Sequence, residues 1–327
     1  MKIGIHIEPQ MGYTYDDIVI LAKAAEKANF YSFTVSDHFF GHVKGSEKSS
    51  SEAWTTIALL TPQTKRIRLG TQVTSQSYRN PALLAKIVAT LDNASNGRMD
   101  LGIGAGWKAA EYEAYGYPFP SAKTRILQLR EALQIINLLW TEERPSFNGE
   151  FYKLKETMFL PKPIQKPRVP IFVGTEKLKA PMMEETAARY ADGLDFVNGT
   201  PVECAQKKER MKTMCDNVGR DFAEMKMSVG PMAVVLGEDE DDYEEKKKQI
   251  LKQEWLEKSI PETRKEKYLE TVISMEIAGP PDVVVEKLLK YKAEVDVVNI
   301  GLPIIGDLRG NGLDTIRILK KHITKRL

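Results

Sequence analysis

His38 is the residue of this sequence best suited to proton transfer. It lies in Ser36–Phe39, SDHF, directly after a short apolar run, and an imidazole can give or take a proton near neutral pH. The local segment HFFGHVKG contains no acidic residue that could pair with it. A histidine in a loop is more often a hydrogen-bonding surface residue than a catalyst. Position alone therefore makes His38 a candidate catalytic residue, with a surface role as the alternative.

Two glycine-containing turns are candidates for binding a phosphate. Gly104, Ala105 and Gly106 follow one apolar run, and Gly174 and Thr175 follow the next one. Exposed backbone N–H groups in such turns, and at the helix starts that follow them, favour anions. The alternative is that the glycines serve only to permit a tight turn, because a lone glycine-rich pattern is weak evidence for a dinucleotide site. From spacing alone the sequence indicates a ligand that carries a phosphate.

Aromatic residues near these turns suit a planar heterocycle. Phe39 and Trp107 follow two of the apolar runs, whereas Trp54, at helical spacing from Ile57, is most simply a core residue. His6, near the end of the first apolar run, is either a ligand-binding residue or a hydrogen-bonded residue of the protein interior.

Composition excludes several classes of function. Formal net charge is +2, which is too balanced for a nucleic-acid footprint. The four histidines are scattered and the two cysteines, Cys204 and Cys215, lie about 16 Å apart if both are in one helix, so we expect neither a metal site nor a disulfide. No signal peptide and no membrane span is evident, which makes a cytoplasmic location the expectation.

Short apolar runs alternate with amphipathic stretches along the chain, a pattern typical of parallel α/β proteins. The strands are predicted at residues 2–7, 31–35, 67–73, 98–103, 170–173, 194–197, 226–236 and 295–301. A doubly wound sheet usually has its glycine-rich turn after the first strand, where this chain has Glu8-Pro9-Gln10-Met11. The spacing therefore favours a (β/α)8 TIM barrel with insertions at about 141–169 and 237–270, forming one domain over residues 1–327.

Ligands of such a barrel bind at the carboxyl ends of the strands, so the candidate residues should converge there. The strand ends carry His6 and Glu8, Ser36 to Phe39, Gln72 to Thr74, Gly104 to Trp107, Gly174 and Thr175, Asn198, Asn299 and Gly301.

Several motifs of this sequence together resemble the luciferase-like flavin and deazaflavin oxidoreductases. They are SDHF, RIRLGTQVTSQSYRNPALLAKIVATLDNASNGRMDLGIGAGWKAAEYEAYGYPFP, FNGEFYKL, PKPIQKPRVPIFVG, ARYADG and GPPDVVVEKLLKY. The resemblance covers nearly the whole chain. The SDHF form is most similar to the branch that uses the deazaflavin coenzyme F420, which includes methylenetetrahydromethanopterin reductase and sugar-phosphate dehydrogenases.

The resemblance implies roles for particular residues. Asp37 and His38 match the Asp-His pair beside the deazaflavin ring, with His38 the proton donor or acceptor. Gln72 and Val73 match a bulge behind the ring that contains a non-proline cis peptide bond. The cofactor-binding residues it implies, together with those suggested by position, are His6, Gln72, Val73, Gly104, Ala105, Gly106, Trp107, Gly174 and Thr175.

The resemblance leaves three functions open. The first is hydride transfer between F420 and a small organic substrate, the second an FMN-dependent monooxygenase, and the third a non-catalytic flavin-binding barrel. Sugar-phosphate dehydrogenases have a glutamate where this chain has Trp107, which argues against that substrate, and many relatives have Gly-Gly where this chain has Gly174-Thr175. The relatives commonly form dimers, so a homodimer is expected.

Overall fold

Strands and helices alternate in the structure, a computed structural model that describes residues 1–41, 48–251, 277–302, 307–323 and 326. The strands are β1 (Lys2–Ile7), β2 (Ser32–Val35), β3 (Arg68–Thr71), β4 (Thr74–Ser75), β5 (Met99–Gly104), β6 (Phe147–Asn148), β7 (Lys153–Leu154), β8 (Ile171–Thr175), β9 (Gly193–Phe196), β10 (Lys226–Leu236), β11 (Ile277–Gly279) and β12 (Val297–Gly301). The helices are α1 (Tyr15–Lys27), α2 (Ala53–Leu60), α3 (Pro81–Ser95), α4 (Ala109–Ala114), α5 (Ala122–Thr141), α6 (Pro181–Tyr190), α7 (Pro201–Asn217), α8 (Glu240–Leu251), α9 (Pro281–Leu289) and α10 (Leu308–Ile318).

Eight parallel strands close into a barrel. The ring runs through β1, β2, β3, β5, β8, β9, β10 and β12, and the pairing of β12 with β1 completes it. Its register brings Lys2 opposite Val297 and His6 opposite Gly301. The sequence prediction of a (β/α)8 barrel is therefore confirmed, and the carboxyl ends of all eight strands lie at one rim.

Local sequence explains where several helices begin. Thr14 and Asp17 form a capping box at the start of α1, and Thr200 and Glu203 form another at the start of α7. Each box satisfies two backbone N–H groups that the first turn of a helix leaves unpaired. Asn80 caps α3, as expected from the Asn-Pro sequence at that point.

The first insertion contains a hairpin, in which β6 pairs antiparallel with β7. The helix α8 begins the second insertion, and residues 252–270 of that insertion lie outside the described part of the chain. The last helix, α10, covers Leu308–Ile318, and a π-helical turn, Leu319–Ile323, follows it.

The third predicted strand, 67–73, is interrupted. Its main part, β3, ends at Thr71, and β4 resumes at Thr74 beside β5. The two residues between them, Gln72 and Val73, are joined by a cis peptide bond, which confirms the bond that the resemblance implied. The interruption lies at the rim where the site residues were expected.

The inside of the barrel is polar. Branched apolar side chains usually fill a barrel of this type. Here the buried interior includes Ser32, Thr34, Gln72, Asp195, Ser228 and Asn299, which line a cavity of about 40 Å³. The apolar core lies instead between the strands and the surrounding helices. Across the described ranges, no helix is long and apolar enough to span a membrane.

Candidate functional site

The histidine of the SDHF motif is paired with a carboxylate that is distant in sequence. His38 lies three residues beyond the end of β2, and its Nδ1 is 2.9 Å from Oε2 of Glu111 in α4. The pair could not be predicted from the segment HFFGHVKG, which contains no acidic residue. An imidazole held by a carboxylate has a defined orientation and a stabilised charged form, which suits proton transfer.

Glu111 is the centre of a buried hydrogen-bond cluster. Its carboxylate accepts from the backbone N–H of Phe39 at 2.9 Å, from the Lys108 ammonium at 3.0 Å and from the Tyr78 hydroxyl at 2.7 Å. Burial alone would raise the pKa of Glu111, but the hydrogen bonds from His38, Tyr78 and Lys108 outweigh it and hold that pKa at about 2. Glu111 is therefore ionised at neutral pH and acts as a fixed negative charge behind the imidazole.

The Asp37 carboxylate forms its hydrogen bonds with groups outside this cluster. Its carboxylate accepts hydrogen bonds from the Arg79 guanidinium, at 2.6 and 3.1 Å, and from the Thr74 hydroxyl. Arg79 also pairs with Glu52. Because Asp37 is only 4% exposed and its oxygens are engaged by these groups, the structure places it as a support for the loop that carries His38. A catalytic role for Asp37 stays a prediction.

Val73 fills the space between two neighbouring strand ends. A Cβ atom added at Gly174 would lie 2.8 Å from a methyl group of Val73, and one added at Gly104 or Gly102 would lie 3.1 Å away. Gly174 is therefore needed for packing against Val73, whereas at Gly102 the backbone oxygen of Thr71 is the obstacle nearer to the added Cβ. This packing role was not among the explanations that the sequence suggested. Phosphate binding at Gly104 and Gly174 stays a prediction, as does the contribution of Thr175, which is buried beside them.

The turn after β5 requires its second glycine. Gly106 has φ of +81°, and a Cβ there would collide with the hydroxyl of Tyr112. The turn leads into Trp107, whose side chain is 64% exposed and meets the His38 ring edge-on at 5.7 Å between centroids. Ala105, between the glycines, is half-buried. The turn therefore brings a large aromatic face next to the candidate catalytic imidazole.

His6 lies inside the barrel, one residue before the end of β1, and is completely buried. Its Nδ1 is 3.0 Å from the Thr34 hydroxyl, and its Nε2 has no partner among the described residues. Burial and the nearby charge of His38 lower the pKa of His6 to about 3, so its ring is neutral under ordinary conditions. His6 therefore offers one unsatisfied nitrogen near His38.

Glu8 adds a second carboxyl group to this end of the barrel. Burial raises its pKa, and the charges of His38 and Lys108 partly oppose that rise. The pKa values of these two carboxyl groups near His38 are therefore shifted in opposite directions. The surroundings favour the ionised form of Glu111 and the protonated form of Glu8.

The structure brings most of the sequence candidates to one rim. His6, His38, Trp107 and the Gln72–Val73 pair converge there, and the strand ends at Gly104 and Gly174 are neighbours because β5 pairs with β8. Sequence reasoning missed Glu111, Arg79 and Asp195. The sequence offered two signals for these residues. One is a glutamate next to Tyr112 in an amphipathic segment, and the other is a single aspartate within the short apolar run GLDFV.

The rim fits a planar heterocyclic ring better than a metal ion. His6 Nε2 is a buried ring nitrogen without a partner among the described residues, and exposed Trp107 and the His38 ring provide flat surfaces at the same rim. In the described part of the chain, no cluster of three or more histidine, cysteine, aspartate or glutamate side chains has the arrangement a metal needs.

Comparison with known proteins agrees with this geometry. Residues 1–295 match the family described as luciferase-like monooxygenase. The chain is 33% identical over 189 residues to an F420-dependent glucose-6-phosphate dehydrogenase of Amycolatopsis mediterranei, and this match covers 57% of the chain and 55% of that protein. It is 30% identical over 243 residues to the protein of the same name from Gordonia bronchialis, covering 71% of the chain and 69% of that protein.

The fold is similar to that of an F420-dependent secondary alcohol dehydrogenase whose structure contains an F420-acetone adduct. The TM-score is 0.81, the identity is 22%, and the match covers 98% of both chains. At this identity the similarity concerns the fold. Some curated relatives are matched over only about half of their length, 55% in the Amycolatopsis protein.

Proposed function

Because this chain belongs to the luciferase-like monooxygenase family, we propose that it is an oxidoreductase that transfers a hydride between coenzyme F420 and a small organic substrate. The observation that carries the proposal is the His38–Glu111 pair, which lies at the ligand-binding rim of the barrel. The relatives named as F420-dependent dehydrogenases support the choice of cofactor.

The residues that would hold the deazaflavin ring are His6, Gln72, Val73 and Trp107. Gly104, Ala105 and Gly106, with Gly174 and Thr175, are the turns proposed to hold its phosphate-bearing side chain. When bound, coenzyme F420 supplies two-electron hydride transfer at its ring. The protein contributes the positions of the ring and the substrate, and the exclusion of water between them.

His38 is the residue proposed to exchange a proton with the substrate. Glu111 accepts from Nδ1 at 2.9 Å, and we place the proton exchange with a substrate oxygen at the other ring nitrogen, Nε2. In the oxidation of an alcohol, His38 Nε2 takes the hydroxyl proton as the hydride leaves carbon; in the reduction of a carbonyl, His38 gives that proton back. The ionised carboxylate of Glu111 stabilises the imidazolium form in either direction.

Trp107 is the residue that argues against a sugar phosphate as the substrate. Its exposed indole lies beside His38, where the resemblance to the sugar-phosphate dehydrogenases would require a glutamate. An apolar surface at this point favours a small alcohol or carbonyl compound over a charged sugar.

The second candidate function is that of an FMN-dependent monooxygenase, which the description of the matching family favours. A third, a barrel that binds the flavin without turnover, predicts binding with no hydride exchange. We further propose that the protein acts as a homodimer in the cytoplasm. Sedimentation equilibrium and fractionation of the source cells test these two points.

A turnover assay separates the three functions. The purified protein is mixed anaerobically with F420 and a panel of small alcohols, or with reduced F420 and the corresponding carbonyl compounds, and the absorbance of oxidised F420 is followed. We expect turnover with at least one compound, and we expect His38→Ala to lower the rate about 10²–10⁴-fold while preserving F420 binding. Oxygen-dependent turnover with reduced FMN would support the monooxygenase, and binding without turnover across the panel would support the third function.

A further inference from the structure

Asp195 lies on the far side of the barrel from His6 but is connected to it through two side chains. Its Oδ1 accepts from Gln72 Nε2 at 2.8 Å and from the Ser228 hydroxyl at 2.5 Å. The carboxyl group is 2% exposed, and its second oxygen, Oδ2, has no partner among the described residues. Asp195 has no part in the proposed proton transfer at His38, so its position needs a separate explanation.

An ionised Asp195 fixes the orientation of the Gln72 carboxamide. A carboxylate can only accept hydrogen bonds, so the amide must turn its Nε2 toward Asp195. Its Oε1 then faces the Thr34 hydroxyl, at 3.2 Å. The amide thus presents an acceptor, and not a donor, to Thr34.

The orientation of the Gln72 amide in turn determines the direction of the hydrogen bond between Thr34 and His6. The Thr34 hydroxyl has a single hydrogen, and the Gln72 Oε1 that faces it at 3.2 Å has none, so this contact is a hydrogen bond only when Thr34 donates. Thr34 Oγ1 then accepts at its contact with His6 Nδ1, 3.0 Å away. Donation from Thr34 to His6 Nδ1 would instead leave Gln72 Oε1 facing a lone pair of the hydroxyl oxygen. His6 therefore carries its proton on Nδ1 and leaves Nε2 with a free lone pair.

We propose that Asp195 sets the tautomer of His6 through Gln72 and Thr34, so that His6 Nε2 is held as an acceptor for an N–H or O–H group of the bound ring. Asp195 is then a positioning residue, and His6 is the residue that touches the ligand. The identity of the ring rests on the proposed function, whereas the tautomer is a property of the protein alone. Burial, which lowers the pKa of His6 to about 3, keeps the imidazole neutral and so preserves a single tautomer.

Nitrogen NMR of the ligand-free protein tests the tautomer directly. With only four histidines in the chain, labelling their ring nitrogens gives a spectrum in which His6→Gln identifies the His6 signals. At about pH 8, above the Asp195 pKa of about 6, we expect a protonated Nδ1 and an unprotonated Nε2. A proton on Nε2 would overturn the proposal.

Two variants separate the role of Asp195 from general packing. Asp195→Asn can present either an oxygen or an NH2 group to Gln72, so we expect the His6 tautomer to become a mixture. Ser228→Ala removes the other donor to the same oxygen and should leave the tautomer unchanged. An unchanged tautomer in Asp195→Asn, or an equal change in both variants, would contradict the relay.

Binding of coenzyme F420 to the same variants is the second measurement. Loss of one well-formed hydrogen bond predicts an affinity lower by about tenfold in Asp195→Asn, with Ser228→Ala close to the unmodified protein. If the unmodified protein has the expected tautomer but does not bind F420, the proposed function fails and the relay stands. If F420 binds but His6 carries its proton on Nε2, the relay fails and the proposed function stands.

Discussion

Glu111 Oε2 lies 2.9 Å from His38 Nδ1, although the two residues are 73 positions apart in the sequence. The helix that carries Glu111 follows the strand β5, and the loop that carries His38 follows β2. Because β2 and β5 both pair with β3, the segments that follow them lie close together at the same rim. The pair joins a buried, ionised carboxylate to the imidazole proposed to exchange a proton.

Replacement of Glu111 by glutamine tests whether the pair contributes to turnover. The amide retains the shape of the side chain but loses the negative charge that stabilises the imidazolium. We expect turnover to fall by about tenfold or more, up to the roughly 10²–10⁴-fold that acid-base catalysis supplies.

The matched control is Glu113→Gln, an exposed glutamate of the same helix. It should leave the rate unchanged. A Glu111→Gln protein that keeps the full rate would remove Glu111 from the mechanism.

Asp195 predicts a dependence of stability on pH. Burial raises its pKa to about 6, against a partial opposing effect of the hydrogen bonds from Ser228 and Gln72, and the value in the unfolded chain is about 3.8. Between these two values the folded protein binds the extra proton, so this group makes the free energy of unfolding fall as pH rises from about 4 to about 6. The loss amounts to at most about 3 kcal/mol.

Urea unfolding across this pH range, for the unmodified protein and for Asp195→Asn, provides the measurement. Because asparagine does not titrate, the difference in stability between the two proteins should change in favour of the variant as pH rises. A difference that stays constant from about pH 4 to pH 7 would contradict a raised pKa for Asp195.

Packing of Val73 against Gly174 predicts coupled effects on stability. The methyl group of Gly174→Ala would lie 2.8 Å from Val73, and overpacking of this kind costs about 1–3 kcal/mol. Val73→Ala removes the obstructing methyl groups. We therefore expect the double variant to lose less stability than the sum of the two single variants, as measured by chemical unfolding. Strictly additive losses would show that Val73 is not what requires a glycine at 174.

The surface formed by Trp107 predicts poor activity with sugar phosphates. We expect the unmodified protein to show little or no F420 reduction with glucose 6-phosphate, at concentrations where a small alcohol is oxidised. Trp107→Phe keeps an aromatic surface and serves as the control for Trp107→Glu, which introduces the residue found in the sugar-phosphate dehydrogenases. Efficient oxidation of glucose 6-phosphate by the unmodified protein would refute this substrate assignment.

Strand order and the position of the rim could be predicted from the sequence because each apolar run is short and each is followed by an amphipathic helix. His38 and Trp107 could be located because both follow such a run directly. Glu111 and Asp195 could not, since their roles come from contacts between residues far apart in the sequence, Gln72 with Asp195 and His38 with Glu111. The glycines at 104 and 174 were found, but their packing role depends on where Val73 lies.

The central claim is that the protein uses coenzyme F420, and competition between F420 and FMN tests it most directly. Coenzyme F420 and FMN are titrated in turn into the purified protein, alone and in competition, and the fluorescence of each is followed. We predict tighter binding of F420, in its oxidised or reduced form, than of FMN. Equal or tighter binding of FMN, or a protein that purifies yellow with FMN bound, would contradict the account.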